Sequence, residues 1–503
     1  MKKHIITIFA AGLLLTGCEE FLTIVPETSL SSNTFFKTEN DFQQAVNAAY
    51  VPLRNIANNR SYLLGEQHSD NTYYARNILF GATEQQEDLA DFSDPVSNGI
   101  SSNVHVLDQY RQDYVIIARA NQILDLIDDV EMPQASKDNL KGQALFLRAY
   151  AYFELARYFG SVPLHLIPVP NREESALPLS PEAEIYAQIV KDAEASIPLL
   201  LPKSTQQPGR ATSGAARMLL SNVYIVLKDW AKAEKLLKEI VSSNEYSLIS
   251  DYSKAFSENV ANKNNAESLF EVQYLEGAAG LNGSFIYNFM PRPISPAELK
   301  PITGTSNTQP LDGEGNNIPT PDIIAAYEPG DLRKDASIGN VFLAGSFRAD
   351  KNYPYIKKFA KTHSLHGNHG TNFPIYRYAE TLLFLAEALN EQGKSGDAIP
   401  YLNQVRTRAG LGATPAAGQS DLREAIFRER RVELAFENKR WFDITRTGRI
   451  QEIIVPYGKR IIANPLAYYY PPVNGAIPRS NSFSNLSKYY GLPAAESDLS
   501  PFF

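Results

Sequence analysis

His363, His366 and His369 stand at three-residue spacing, and imidazole nitrogens commonly ligate transition metals. Their setting argues against a metal. They lie among Gly367, Asn368 and Gly370, with no acidic residue close by in sequence. Nothing holds them in the i, i+4 register that brings two imidazoles to one face of a helix. We therefore expect an exposed or ligand-adjacent polar loop, with no metal and no cofactor. A second chemistry is suggested by Glu424, Glu429, Glu433 and Glu437, because glycosidases work with two carboxyl groups about 5 to 9 Å apart. Arginines are interleaved at helical reach, Glu424 with Arg428 and Glu437 with Arg440. A guanidinium lowers a carboxyl pKa, the wrong direction for a general acid. A structural ion-pair network is the better account. The chain carries no Ser-His-Asp signature, nucleophile elbow or phosphate loop, so no catalytic residues are expected.

The only cysteine, Cys18, closes Leu15-Thr16-Gly17-Cys18 after the basic pair Lys2-Lys3 and an apolar run from Ile5 to Leu15. That run is shorter than the about 20 residues that span a bilayer. The layout is that of a signal peptide, and its last four residues resemble a bacterial lipobox. Residues 1–17 are expected to be a lipoprotein signal peptide, with Cys18 lipidated and serving as the membrane anchor. Glu19 and Glu20 resemble an acidic signal for export to the cell surface, which places the protein on the outer membrane. An acylated Cys18 leaves no thiol for a disulfide, a zinc cluster or a nucleophile. The formal charge of −8 argues against nucleic-acid binding.

The elements that must position any site are mostly helical. From Asn139 to Gly160 apolar residues surround the whole helix, which predicts deep burial. Another helix is predicted from Pro181 to Leu200. Two helix pairs follow, Ala215–Leu227 with Trp230–Val241, and Tyr376–Glu391 with Asp397–Ala409. The later helix of each pair repeats one spacing, Ala233, Leu236, Leu237, Ile240 against Ala398, Tyr401, Leu402, Val405. That i, i+3, i+4, i+7 pattern marks a packed face, and such pairs look like tetratricopeptide repeats. Residues 276–372 differ, being crowded with Gly, Pro, Asn, Ser and Thr and interspersed with aromatics. Disordered chain is poor in aromatics, so ordered irregular loops are expected there, and loops of this kind commonly carry binding function.

Together these blocks resemble the SusD/RagB family of nutrient-binding surface lipoproteins. Ala144–Tyr150 running on to Phe159-Gly160-Ser161-Val162-Pro163-Leu164 resembles the family's signature helix and its exit. Gly209-Arg210-Ala211-Thr212, Asp331-Leu332-Arg333, Tyr376–Asn390 and Ile426–Arg446, the last taken as one long basic-acidic helix, follow in the family's order. One departure is Tyr110, where relatives usually carry Trp ahead of Tyr114, Ile117 and Asn121.

The resemblance implies a mostly α fold, with a tetratricopeptide-like scaffold carrying long irregular insertions. It implies an N-terminal region over 18–275 and a C-terminal region over 276–503, the loop-rich insertion lying at about 276–372, all in one globular unit. It further implies capture of an oligosaccharide for a SusC-like TonB-dependent transporter, without catalysis. A surface glycosidase, a helical-repeat interaction scaffold and a peptide-binding lipoprotein are the alternatives. Sugar rings stack their apolar faces on aromatics while polar side chains take the hydroxyls. Trp230 and Trp441 both sit in structural blocks, so stacking should fall to Tyr and Phe. The ligand residues expected on this basis are Asp70, Asn71, Tyr73, Tyr74 and Arg76 in one segment, with one of the two tyrosines facing the sugar. Tyr287, Phe289 and Arg292 are expected from the irregular region.

Overall fold

The computed structural model describes residues 35–59, 61–75, 84–171, 173–256, 262–311, 315–471, 483 and 485–502. The lipobox with Cys18, the Glu19-Glu20 pair and Arg76 lie outside the described residues. The helical body begins with α1 (Glu39–Asn59), α2 (Val104–Leu126), α3 (Gln134–Phe159) and α4 (Glu182–Ser196). The two pairs follow as α5 (Ser213–Val226) with α6 (Trp230–Ser242), then α8 (Tyr378–Glu391) with α9 (Ser395–Arg408), α7 (Pro296–Thr303) lying between them in the chain. The C-terminal helices used below are α10 (Gln419–Glu433) and α11 (Arg440–Arg446). Each helix from α2 to α6 packs on the next, and α6 then packs on α8, so the two pairs join one continuous stack.

Local sequence explains these elements. Phe146, Leu147, Phe153 and Leu155 of α3 are fully buried, each contributing roughly 1.5–3 kcal/mol. Gly160 ends α3 at φ 73°, a conformation glycine adopts without strain. Thr212 caps α5 by accepting from Ala215 N at 3.0 Å, and Asp229 caps α6 by accepting from Lys232 N at 3.3 Å. Trp230 opens α6 against the core and Trp441 is fully buried in α11, as their structural assignment requires. Among the described residues no helix is long and apolar enough to cross a membrane.

The 276–372 region is less irregular than its composition suggests. Besides α7 it holds β3 (Gly315–Pro319), which pairs with β1 (Thr72–Ala75), and a hairpin of β4 (Ile338–Phe342) and β5 (Asn352–Ile356). The strand that follows the region, β6 (Phe373–Arg377), pairs antiparallel with β2 (Ser268–Val272) and runs straight into α8. The region's aromatics face inward. Phe285, Phe289, Tyr327 and Tyr353 are buried, leaving Phe342 exposed and Phe347 half-buried.

The expected single helix over 426–446 is broken. α10 stops at Glu433, and Phe436 (φ 69°) and Asn438 (φ 60°) turn the chain before α11. The ion pairs are present with different partners. Glu433 meets Arg333 (3.0 Å), Arg377 (3.0 Å) and Arg408 (2.6 Å), and Glu437 meets Lys358 and Arg377. Arg440 goes to Asp70 instead of Glu437. Arg408, Arg377 and Arg333 offset the effect of burial and hold the Glu433 carboxyl well below its ordinary range. The network bolts the loop region to the repeats, and removing one partner of such a buried pair costs about 3–5 kcal/mol.

Candidate functional site

The segment expected to touch ligand first, Asp70 to Tyr74, lies inside the protein. Asp70 takes Arg440 Nε at 2.7 Å and Arg431 Nη2 at 2.9 Å. Burial alone would raise its pKa, but the two guanidinium groups hold it at about 2. Asn71 donates to Glu66 Oε1 at 2.8 Å and accepts from Arg431 Nε at 2.8 Å. Tyr73 and Tyr74 have no solvent exposure. Alternation along a strand would send them to opposite faces, but the pairing of β1 with β3 shifts register between Tyr73 and Ala75. Their rings instead stack at 4.4 Å, and both hydroxyls donate to Asp91. Burial pushes Asp91 up to about 7, against the pull of the two hydroxyls. In this conformation Asp70, Asn71, Tyr73 and Tyr74 hold the fold and cannot contact a sugar.

The second predicted segment is closer to the surface, with the roles redistributed. Phe289 is fully buried and Tyr287 is 6% exposed. Arg292 is half-buried and donates to the Tyr287 carbonyl at 3.3 Å. The histidine triplet meets Tyr287 here. His363 Nδ1 donates to Lys361 O (2.8 Å), so its Nε2 accepts the Tyr287 hydroxyl at 2.6 Å. His369 is buried, and Gly283 exchanges both backbone hydrogen bonds with it. Its Nδ1 accepts from Thr371 N at 3.2 Å, and burial pushes its pKa down to about 3. His366 lies over Tyr287, ring centroids 4.3 Å apart, and is half-exposed. Among the described residues no three His, Cys, Asp or Glu side chains group to hold a metal.

Three loops are laced together around this point. His366 N donates to Asn307 Oδ1 at 2.7 Å, Ser306 N and Oγ both reach Ser364 O at 3.0 Å, and Asn282 Nδ2 reaches Gly367 O at 2.9 Å. Asn368 bridges to both backbone groups of Gly277, and Ser364 N donates to Glu276 Oε1 at 2.6 Å. The result is a surface of fixed amides and rings. Asn307 and Gln309 were not among the predicted residues. Their signal was the run Ser306-Asn307-Thr308-Gln309 between Gly304 and Pro310.

The model of the SusD family matches residues 343–496. A second model, described as starch-binding associating with outer membrane, matches residues 20–225. SusD-like protein P2 of Formosa agariphila is 28% identical over 501 residues, covering 91% of this chain and 93% of that protein. The chain belongs to the SusD/RagB family. A laminarin-binding SusD-like protein shares 25% identity and a TM-score of 0.70, over 90% of this chain and 98% of that one. Surface glycan-binding protein A of Bacteroides thetaiotaomicron, solved with laminarihexaose, shares the fold at TM-score 0.72 and 22% identity, over 92% and 98%. The mostly α, tetratricopeptide-like architecture is therefore the SusD/RagB fold.

A different concavity of this SusD/RagB chain lies on α2, enclosing about 970 Å³ between Tyr110–Asn121, residues 163–177 and residues 496–501. Tyr110, the departure from the family's Trp, packs edge-on to Phe159 at 5.2 Å. Arg111 and Glu496 of the cleft lining pair with each other, and two further polar groups of the lining bond inward. Tyr114 donates to Pro163 O at 2.6 Å, and Asn121 donates to His165 O and Ile167 O. Its rim is aliphatic, with Ile167 71% and Leu499 57% exposed. A cleft of this kind offers carbon where the loop face offers hydrogen bonds.

Proposed function

We propose that this protein is a carbohydrate-binding surface lipoprotein. In this reading it captures an oligosaccharide without cleaving it and passes it to a TonB-dependent transporter of the SusC type. The observation that carries the reading is the loop face, where exposed amides and a half-exposed ring are fixed by hydrogen bonds yet retain bonding capacity. Concave or flat platforms of rings with a few placed polar groups are what a sugar requires. Full-length likeness to SusD-like proteins, one of them laminarin-binding, supports the same ligand class. Capture without hydrolysis is supported by the carboxylates at 429–437, which are engaged by buried cations. Cys18 supports an acyl anchor, and the aliphatic rim of the α2 cleft supports docking of a protein partner over the helical body. The regions 18–275 and 276–503 act as one unit in this reading, supported by a hydrophobic core that runs from Phe42 to Tyr490.

The test presents the full-length protein, purified in detergent, to a glycan array and titrates each hit by calorimetry. Saturable binding with unchanged chain length over a day is expected. Protein-dependent shortening of the glycan would sink capture without cleavage, and silence across the array would sink the ligand class. In cells, Cys18→Ser should move folded protein out of the membrane fraction, because acyl chains supply about 0.8 kcal/mol per buried CH₂. Retention of that variant with the outer membrane would show that the acyl group is not the anchor.

A further inference from the structure

We infer that His366, with Asn307 and Gln309, forms the strip that contacts the sugar, that Tyr287 is its buried support, and that the ligand is an uncharged glycan. This inference rests on the carbohydrate reading and assigns the contacts within it. Tyr287 has no face to offer. One side lies under His366, its hydroxyl is taken by His363 and its carbonyl by Arg292. The ring at the surface is that of His366, carried at the corner of a tight turn. Asn368 N closes that turn on Leu365 O at 3.1 Å, with Gly367 at φ 72°.

The strip is built with hydrogen-bonding capacity left over. Gln309 N donates to His366 Nδ1 at 3.4 Å, which leaves the proton on Nε2 as a donor with no partner among the described residues. Asn307 uses Oδ1 for His366 N and its carbonyl for Gln309 Nε2 at 2.8 Å. Asn307 Nδ2 and Gln309 Oε1 have no partner among the described residues. A ring, two N–H donors and one acceptor are thus held together on an exposed surface. A merely solvated loop has no reason to order such groups, since fixing a side chain costs rotamer entropy. Ordering them before binding removes that cost from association.

None of the three side chains carries charge near neutral pH. Burial and the neighbouring His363 push the His366 pKa down. The ionisable groups around it are His363 on its own loop, Tyr287 beneath, Glu276 bonded to Ser364 N, and Arg292 on the Tyr287 carbonyl. Protonating Nδ1 would make it a donor facing the Gln309 N–H, so acid should dismantle the strip.

The test uses full-length protein in detergent with maltohexaose, laminarihexaose and xylohexaose, against alginate and sulfated oligosaccharides as charged probes. Binding of a neutral hexaose is expected, with at least a tenfold loss in His366→Ala and a several-fold loss in Asn307→Ser. Tyr287→Phe should change affinity less than threefold. Wild-type affinity should fall on acidification below the ordinary imidazole range, and His366→Gln should make the profile flat. Wild-type affinity in both His366→Ala and Asn307→Ser overturns this assignment while leaving the carbohydrate reading intact. Binding of charged probes alone overturns the ligand class, and failure of every probe overturns both readings. Melting curves of the variants should match wild type, and Asn307→Ser carries the test if His366→Ala does not fold.

Discussion

Residues 66–74 and the face formed by residues 304–309 and 363–369 are alike in chemistry, each mixing amides, hydroxyls and rings. They differ in what satisfies those groups. In the first segment the side chains expected to touch ligand are taken up by charged groups inside the fold, while the buried Gln67 amide has no partner among the described residues. Asp70 is held by Arg440 and Arg431, Asn71 by Glu66 and Arg431, and Tyr73 and Tyr74 by Asp91. In the second the internal bonds run mainly through backbone and leave side-chain atoms over. A polar, aromatic composition therefore does not distinguish a ligand site from a buried joint. Residual hydrogen-bonding capacity at the surface does.

Removing charge from the buried joint should give the largest effect. Asp70→Ala leaves Arg440 and Arg431 in the interior without their partner, and a loss of about 3–5 kcal/mol is expected in denaturant unfolding. Tyr74→Ala should lose a similar amount, about 3–5 kcal/mol, through the cavity it opens. Glycan affinity of whatever remains folded should be unchanged in both. If either variant keeps wild-type stability and loses the glycan, the two regions have been assigned the wrong way round.

The Asp91 carboxyl sharpens the contrast through pH. Its folded pKa, about 7, lies above the ordinary carboxylate value because it is buried. Between pH 4 and 7 the folded state therefore binds more protons than the unfolded state, and this group's contribution to stability falls as pH rises. His68 and His369, pushed down to about 4 and about 3 by burial, act in the opposite direction over the acid side of that window. Asp91→Asn isolates the carboxyl. The stability advantage of wild type over the variant should shrink as pH rises from 4 to 7, measured by denaturation at each pH. An advantage independent of pH would mean that Asp91 is ionised throughout.

The outcome at these sites reflects what sequence periodicity reports. α3 and the two helix pairs were legible because their apolar spacing is local, and α5, α6, α8 and α9 begin and end within a few residues of the predicted positions. The break between α10 and α11 was not, because Phe436 adopts a left-handed conformation that its residue type disfavours, with Asn438 as the single local hint. Burial of Tyr73 and Tyr74 depends on a register shift against residues 315–319, and pairing over that separation leaves no local trace. The histidine triplet was readable as a polar loop, but the burial of His363 and His369 was not, and only His366 reaches the surface. Two of its partners, Asn307 and Gln309, are more than fifty residues away and met it only in the folded chain.

Gly283 tests whether the exposed face is rigid. It exchanges both backbone hydrogen bonds with His369, and a Cβ there would sit 2.6 Å from His369 Cε1. That ring is buried and has little room to move, so Gly283→Ala should destabilise by about 1–3 kcal/mol. Affinity should fall with it, because a displaced His369 disturbs the loop that carries His366. Stability lost with affinity retained would mean that the face does not depend on its lacing.

The smallest stability change belongs to the residue expected to matter most for binding. His366 is half-exposed at the corner of a turn whose φ 72° position is Gly367, so His366→Ala strains no backbone and gives up a single ring contact, the one over Tyr287. Its unfolding free energy should stay within about 0.5 kcal/mol of wild type, the range of surface substitutions. The opposite pattern holds for Asp70→Ala, with large destabilisation and intact affinity. If His366→Ala instead destabilised as Asp70→Ala does, the imidazole would be a joint like the buried carboxylate. The unengaged atoms of Asn307 and Gln309 would then lack the ring that makes them a sugar platform.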